Sequence, residues 1–374
     1  MGPATRRLSR HLGAAPLPAG WSSSTRDLAV AEPALGLVVT EVRPAYELQR
    51  ALPDGGRDSR WVFERETRVR TDAAFVAEVP NGHAMGHYGA VATDDGRLLF
   101  DLSPYFGVTK PSRHPVFLRP SLPAVEELDG RVAVLTTRGS DNYYHFLTDV
   151  LPRIDLLESA GVTVDRYLVN RGLPFQEELL DIWGIDPDRV VESSYHPHVR
   201  AEQLVVPSLP DPEMRTPGWV VDALRARLPA GAGTSGTRIY IGRGPTRHNR
   251  RVENEAELEA ALASRGFSSV DPGALSVREQ VRAFADASVI VAAHGAALAN
   301  IAFCSPGATL VELFAPDYVN PCYWALARQV PGVRYHYVIG DGRRRSSGAS
   351  MLGVSSDITV DVQQVVRTVD GIDG

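Results

Sequence analysis

The sequence predicts an α/β protein: β/α layers built on mainly parallel sheets, preceded by a β-rich N-terminal part. Three observations carry this. From Arg131 onward, short β-branched apolar runs alternate with helical patterns. The run SVIVAA (288–293) is short, apolar and followed at once by His294-Gly295-Ala296-Ala297, so it reads as a buried strand entering a tight helix start. Between 35 and 120 the pattern is of strands instead: LGLVVTEV, RWVFERETRVR, AAFVAEV and AVATDDGRLLFDL, with Asp95-Gly96 as a hairpin turn.

In chain order, 1–33 is rich in Ala, Pro, Ser and Arg and weakly periodic, hence expected to be weakly structured. VAVLTT is a strand. The span 142–160 is a helix with the apolar stripe Phe146, Leu147, Val150, Leu151, Ile154 and Leu157, stopped by Gly161. RYLVN (strand), PFQEELLDIWG (helix), RVVES and EQLVVPS (strands) and a helix over 219–228 complete the first β/α region. The Gly/Ala/Ser stretch 230–236 is the linker. TRIYIG then opens a second β/α region. Asn254 is expected to cap its first helix with Glu257 in the return position, and Ser276 with Glu279 forms a second capping box. The HGAALAN helix, the TLVELF strand, a helix over 321–330 and the VRYHYVI strand follow. The expected division is thus a weakly structured 1–33, an N-terminal domain 34–229, a linker 230–236, a C-terminal domain 237–340, and a tail 341–374 returning to the N-terminal domain.

The 374 residues suggest two or three domains, and 44% hydrophobic with 22% charged residues is an ordinary globular composition. A net charge of -6 argues against a nucleic-acid partner. Lys110 is the only lysine, so an anion site must use arginine forks or backbone amides. Cys304 and Cys322 cannot make a disulfide framework or a thiolate zinc site. His83 with His87, and His196 with His198, have metal-like spacing but no accompanying ligands, so no metal is expected. The basic N-terminus lacks the apolar core of a signal peptide, and no apolar run approaches the roughly 20 residues of a membrane span. A cytoplasmic protein is expected, with self-association left open.

Chemistry concentrates in three places. The loop 242–255, GRGPTRHNRRVENE, follows a strand and carries Arg243, Arg247, Arg250 and Arg251. Its glycines Gly242 and Gly244 permit close backbone approach to a diphosphate. Arg247 occupies the place of a third fingerprint glycine, which weakens a nicotinamide reading. His294-Gly295-Ala296-Ala297 offers uncovered amides and the positive end of a helix dipole; the plainer reading is a tight junction with a core histidine. Glu312, inside TLVELF, needs a partner: ribose hydroxyls or a neighbouring arginine. Arg243, His294 and Phe314 each end a strand of one sheet, so their loops should converge. In the first region, His145 and Asp149 share a helix face at i, i+4, and Arg153 extends the row. Such a pair can be a general base and its orienter, or a structural network.

Taken together these motifs resemble glycosyltransferase family 61. Asn142-Tyr143-Tyr144-His145 with Asp149, Leu151, Pro152 and Arg153 is similar to the family's N-Y-x-H…D-x-L-P-R helix. Arg243, Arg250, Arg251, Asn254 and Glu255 are similar to its R…R-R…N-E stretch, and Gln280, His294-Gly295-Ala296, Asn300 and Glu312 to its Q…H-G-A…N…E run. Ala297, Ala299 and Gly242 stand where Gly, a hydroxyl residue and Ser are usual. The resemblance implies a bacterial-type member of GT-B architecture: two Rossmann-like domains facing a cleft. It implies inverting, metal-independent transfer from a nucleotide diphosphate sugar, expected to be UDP-linked, to a hydroxyl of a glycan or small molecule, without a further cofactor. His145 and Asp149 would be catalytic. Asn142, Arg153, Gly242, Arg243, Arg247, Arg250, Asn254, Glu255, His294, Gly295, Ala296, Ala297, Asn300 and Glu312 would hold the donor. The rival readings are another nucleotide-dependent α/β enzyme, such as an epimerase or dehydrogenase, and a non-catalytic sugar-nucleotide-binding protein.

Overall fold

The apolar runs of the sequence become strands of two separate sheets. The structure is a computed structural model and describes residues 15–55, 60–230, 236–243, 250–341 and 353–373. Its chain divides into two units. The first holds the described residues up to Tyr46 with Asp72–Pro212; the second holds Glu47–Thr71 with the described residues from Glu213 onward.

The first unit contains a mixed sheet of ten strands. Its parallel part runs His198–Pro207, Glu126–Val134, Arg166–Val169, Val190–Glu192. The antiparallel part is joined through His198–Pro207, which pairs with both Ala74–Pro80 and His83–Met85. Asp95-Gly96 forms the expected hairpin turn: Ala90–Ala92 pairs antiparallel with Arg97–Leu99, and Gly96 adopts φ 82°, which only glycine takes without strain. Val79, Val132, Val134, Leu168, Val199 and Leu204 pack one buried layer against the sheet.

The second unit contains a six-stranded parallel sheet in the order Phe267–Val270, Thr237–Ile241, Ala287–Ala293, Thr309–Phe314, Arg334–Ile339, Asp54–Gly55. Thr309–Phe314 is buried along its whole length and Ala287–Ala293 at every residue but Ser288, as parallel strands covered on both faces must be.

Several elements differ from expectation. Residues 15–33 are not weakly structured: Gly20–Ser22 is a strand and Thr25–Ala31 a helix capped by Ser24. The stretch RWVFERETRVR is not one strand; Arg60–Glu64 is helical and only Arg68–Thr71 extended, with Val62 and Phe63 buried at adjacent positions of one short helix. The HGAALAN segment is a 3-10 helix, Ala296–Phe303. The helix Gly218–Arg227 and residues 47–71 belong to the second unit, so the division falls near 212 rather than at 230–236; most of that expected linker lies outside the described residues. The C-terminal helix Val362–Asp373 does not return to the first unit. Val362, Val365, Val366 and Val369, at helical spacing, join Leu258, Leu262 and Leu313 in the second unit's core.

The capping boxes also split. Ser276 and Glu279 form theirs, with Ser276 N–H donating to the Glu279 carboxylate at 2.8 Å and Glu279 N–H to the serine hydroxyl. Asn254 makes no cap. Its amide Nδ2 donates to Val360 O at 2.9 Å and its Oδ1 accepts from Val360 N–H at 3.1 Å, so the side chain stands in for a strand neighbour and holds the C-terminal segment. No helix among the described residues is long and apolar enough to cross a membrane.

We expect Asn254→Ala to release that segment. Two lost hydrogen bonds, about 1 kcal/mol each, should speed amide exchange at Val360 by roughly ten- to a hundredfold. Ser276→Ala should cost about 1 kcal/mol of stability and leave Val360 exchange unchanged. Hydrogen exchange read by mass spectrometry compares the two variants; equal exchange at Val360 would show the contact to be idle.

Candidate active site

In the first unit the site grows from one helix and the turn before it. Asn142 caps the helix by accepting Tyr144 N–H at 2.9 Å. The helix runs Tyr143–His145, widens into a π segment over Phe146–Val150, and continues as Leu151–Ser159. Pro152 accounts for the widening: it has no N–H to return to residue 148, so the regular turn cannot close there. Thr148 turns its hydroxyl to Tyr144 O at 2.9 Å.

On the inner face of this helix, His145 Nδ1 lies 2.8 Å from Asp149 Oδ2, and Asp149 Oδ1 accepts the Thr148 hydroxyl at 3.1 Å. A carboxylate accepts only, so Nδ1 carries the proton and Nε2 presents its lone pair. Nε2 has no protein partner among the described residues. The turn 137–140 closes against the ring. Gly139 has φ 79°, and a Cβ there would sit 2.8 Å from His145 Cδ2. Gln176 Nε2 holds the turn by donating to Ser140 O at 2.9 Å.

Arg153 extends the row as expected but is not a ligand group. It is 2% exposed, and its guanidinium donates to Pro207 O at 2.9 Å, Leu135 O at 2.8 Å and Val134 O at 2.7 Å. It closes the carbonyl ends of two neighbouring strands. Burial pushes it down to about 10, opposed by the Asp149 carboxylate.

In the second unit the carboxyl ends of Thr237–Ile241, Ala287–Ala293 and Thr309–Phe314 are adjacent, and Arg243, just past the first, meets His294, just past the second. Arg243 Nη1 donates to His294 O at 2.6 Å. Gly295 leaves room for it, since a Cβ there would come within 2.5 Å of that Nη1. Glu255 accepts the Tyr240 hydroxyl at 2.9 Å, and a Cβ on Gly242 would stand 3.0 Å from the same carboxylate oxygen. Arg250 lies over the Tyr318 ring at 5.1 Å. Ala296 and Ala297 begin the 3-10 helix, ahead of Leu298, whose N–H bonds Gly295 O at 3.0 Å. Asn300 donates to Gln280 Oε1 and Ala297 O, each at 3.1 Å, so it braces this helix from within. Arg247 lies outside the described residues.

Glu312 differs from expectation. It is fully buried, and both its oxygens are taken inside the protein, one by His294 Nδ1 and one by the Tyr335 hydroxyl. Among the described residues no arginine is its hydrogen-bonding partner. Burial pushes the Glu312 carboxyl well up; burial, then Arg250 and Arg243, push His294 well down. The pair is therefore neutral: Glu312 O–H donates to Nδ1, and the imidazole carries its own proton on Nε2. The ring is packed among Phe314, Tyr318 and Tyr323 at 5.0–5.4 Å. Burial and the facing Arg250 together lower Arg243 to about 10. Two guanidiniums that repel one another beside a neutral pair suit an anion.

The family model of Glycosyltransferase 61 matches residues 143–311. That span, a little under half of the chain, carries a glycosyltransferase 61 domain. A beta-1,2-xylosyltransferase from Arabidopsis thaliana is 39% identical over 62 residues, 17% of this chain and 11% of that protein. The human protein O-linked-mannose beta-1,4-N-acetylglucosaminyltransferase 2 is 39% identical over 97 residues, and the Canis lupus familiaris protein of that name is 39% identical over 99, each 24% of this chain and 16% of the relative. The chain thus matches only a small part of these relatives' length. The glycosyltransferase 61 span holds both histidine clusters and Arg153; Asn142 precedes it by one residue and Glu312 follows it by one.

Sequence reasoning missed Gly139, Tyr318, Tyr323 and Tyr335. Tyr318 sits in the loop after TLVELF and Tyr323 on the helix Cys322–Ala327 that follows it, and that position after the strand was their only signal. The four histidines with metal-like spacing regroup: His83 Nδ1 meets His198 Nε2 at 3.1 Å across adjacent strands, while His196 bonds Glu126 at 2.6 Å and His87 packs edge-on to Tyr88. Burial, then His198, lower His83 to about 4.

Two outcomes are expected. Arg153→Leu should destabilise the protein by on the order of 3 kcal/mol or more, because several buried carbonyls lose their donor. Arg153→Lys should recover only part, since an ammonium lacks the planar fork. Urea unfolding measures both, and unchanged stability would return Arg153 to a ligand role. For His83, the folded-state value near 4 lies below the unfolded value of about 6.5. The folded state then binds fewer protons in between, so stability is lost as pH falls from about 6.5 to about 4. His83→Gln should flatten that fall in thermal melts across the window.

Proposed function

We propose that the chain is an inverting, metal-independent glycosyltransferase of the GT-B class. It moves a sugar from a nucleotide diphosphate sugar, UDP-linked, to a hydroxyl of a glycan or small molecule. The observation that carries this is the His145–Asp149 pair, with Nδ1 committed to the carboxylate and Nε2 without a partner among the described residues. The acceptor hydroxyl oxygen attacks the anomeric carbon from the face opposite the diphosphate. Its proton passes to Nε2 while the bond from the anomeric carbon to the diphosphate oxygen breaks with both electrons. Asp149 orients the imidazole and stabilises the imidazolium that forms. The departing diphosphate takes up negative charge that Arg243, Arg250, the amides of Ala296 and Ala297 and the neutral His294 N–H are suited to meet. Arg247, four residues after Arg243 in the sequence, is assigned to the same diphosphate.

The family match over 143–311 supports the transfer of a sugar; the donor, the stereochemistry and the metal independence rest on this chemistry. In assays with EDTA present, His145→Ala and Asp149→Asn should each cut transfer by roughly 100- to 10,000-fold, with UDP affinity unchanged. Arg243→Ala should do the reverse in calorimetry, weakening UDP-sugar binding by roughly 1.5–3 kcal/mol. Near-wild-type transfer in both His145 and Asp149 variants would sink the assignment, as would activity that requires added manganese.

A further inference from the structure

Two aromatic rings flank His145. Tyr144, at 5.2 Å, is 3% exposed; Phe106, at 5.1 Å and tilted by 58°, is 37% exposed. A lone exposed phenylalanine is ordinary, but this one is built in. The buried Arg138 guanidinium covers it at 4.5 Å. Its neighbour Tyr105 is locked edge-on to Tyr88 and His114, at 5.3 and 6.0 Å. Val108 N–H closes the turn on Tyr105 O at 3.1 Å, with Gly107 at φ 69°. The ring is thus held at the site's edge while part of its surface faces solvent.

We infer that Phe106 is a stacking platform for the acceptor, and that this acceptor carries a sugar ring. The inference rests on the reading of His145 as the base. A hydroxyl that gives its proton to Nε2 must sit about 3 Å from that atom. The ring bearing that hydroxyl then extends a few ångströms further, a distance comparable to that separating the imidazole from the phenyl ring. Gly139 fills the Cδ2 side of the imidazole and Tyr144 is buried, which leaves Phe106 as the exposed surface beside it. The C–H face of a pyranose is apolar and weakly positive, and it complements the negative face of an aromatic ring. Phe106 and Arg138 both precede the span that the family model matches, 143–311. The platform is therefore a specificity element outside the part of the chain shared with the family.

The test needs no donor and no turnover. The full chain is titrated with methyl glycosides of xylose, glucose, galactose, mannose and N-acetylglucosamine, and saturation-transfer NMR reads their ring protons. At least one glycoside should bind the wild type, and Phe106→Ala should raise its Kd by roughly tenfold, the scale of one lost aromatic contact with its buried area. Phe106→Trp should keep the affinity within a small factor, and UDP binding should be equal in all three proteins. If no glycoside binds the wild type, or if Phe106→Ala binds as well as the wild type, the platform is wrong. The base assignment fails separately: sugars would still bind at Phe106 while His145→Ala kept its transfer activity.

Discussion

The first unit depends on the buried guanidinium of Arg153. Parallel strands end in carbonyls that point the same way, and the ends of Glu126–Val134 and His198–Pro207 bring Val134 O, Leu135 O and Pro207 O together without solvent. Three acceptors and no donor would be costly. Arg153 supplies the donors in one rigid fork. Because Arg153 sits on the helix that also carries His145 and Asp149, satisfying the sheet fixes that helix in height and rotation. The π segment before Pro152 then sets the angle at which the two upstream residues leave the helix. Site and core are held by the same side chain.

The second unit solves a different problem. Glu312 and His294 are both buried, and a charged pair there would need more than its mutual attraction to offset desolvation. Burial drives both groups toward their neutral forms, and the Tyr335 hydroxyl satisfies the remaining carboxyl oxygen. One result is a rigid, uncharged imidazole at a sheet edge. The other is that Glu312 does little to neutralise Arg243 and Arg250, since a protonated carboxyl carries no charge. The positive potential at this edge is not cancelled by Glu312, because that acid is kept neutral.

Legibility in the sequence followed the range of the interaction. Local patterns translated well: the i, i+4 spacing of His145 and Asp149, the Ser276 box, the Asp95-Gly96 turn and the three strands whose ends converge. Side chains whose partners come from distant segments did not. Asn254 carried a sound capping signal, but Val360, 106 residues away, offered both a donor and an acceptor and won. Arg153 lay in the right row, yet its carbonyl partners come from strand ends that no local pattern announces. Glu312 was recognised as needing a partner, and Tyr335 lies on the neighbouring strand, where register rather than spacing decides contact. Phe106 has no signal at all, because an exposed aromatic acquires meaning only from the histidine that folding sets beside it.

Arg250 shows what it costs to hold such a site in place. It is a buried, non-glycine residue at φ 43°, in the left-handed region, a conformation worth on the order of 1–3 kcal/mol of strain. It also contributes to lowering Arg243, so each guanidinium is less comfortable for the other's presence. Stacking on Tyr318 holds Arg250 in place but neutralises nothing. An anion between the two arginines would remove the repulsion and leave the backbone strain untouched. The strain therefore belongs to positioning and the repulsion to binding. A side chain already fixed before the ligand arrives loses less entropy when it binds, so the strain in the free protein is offset by a smaller ordering cost in the complex.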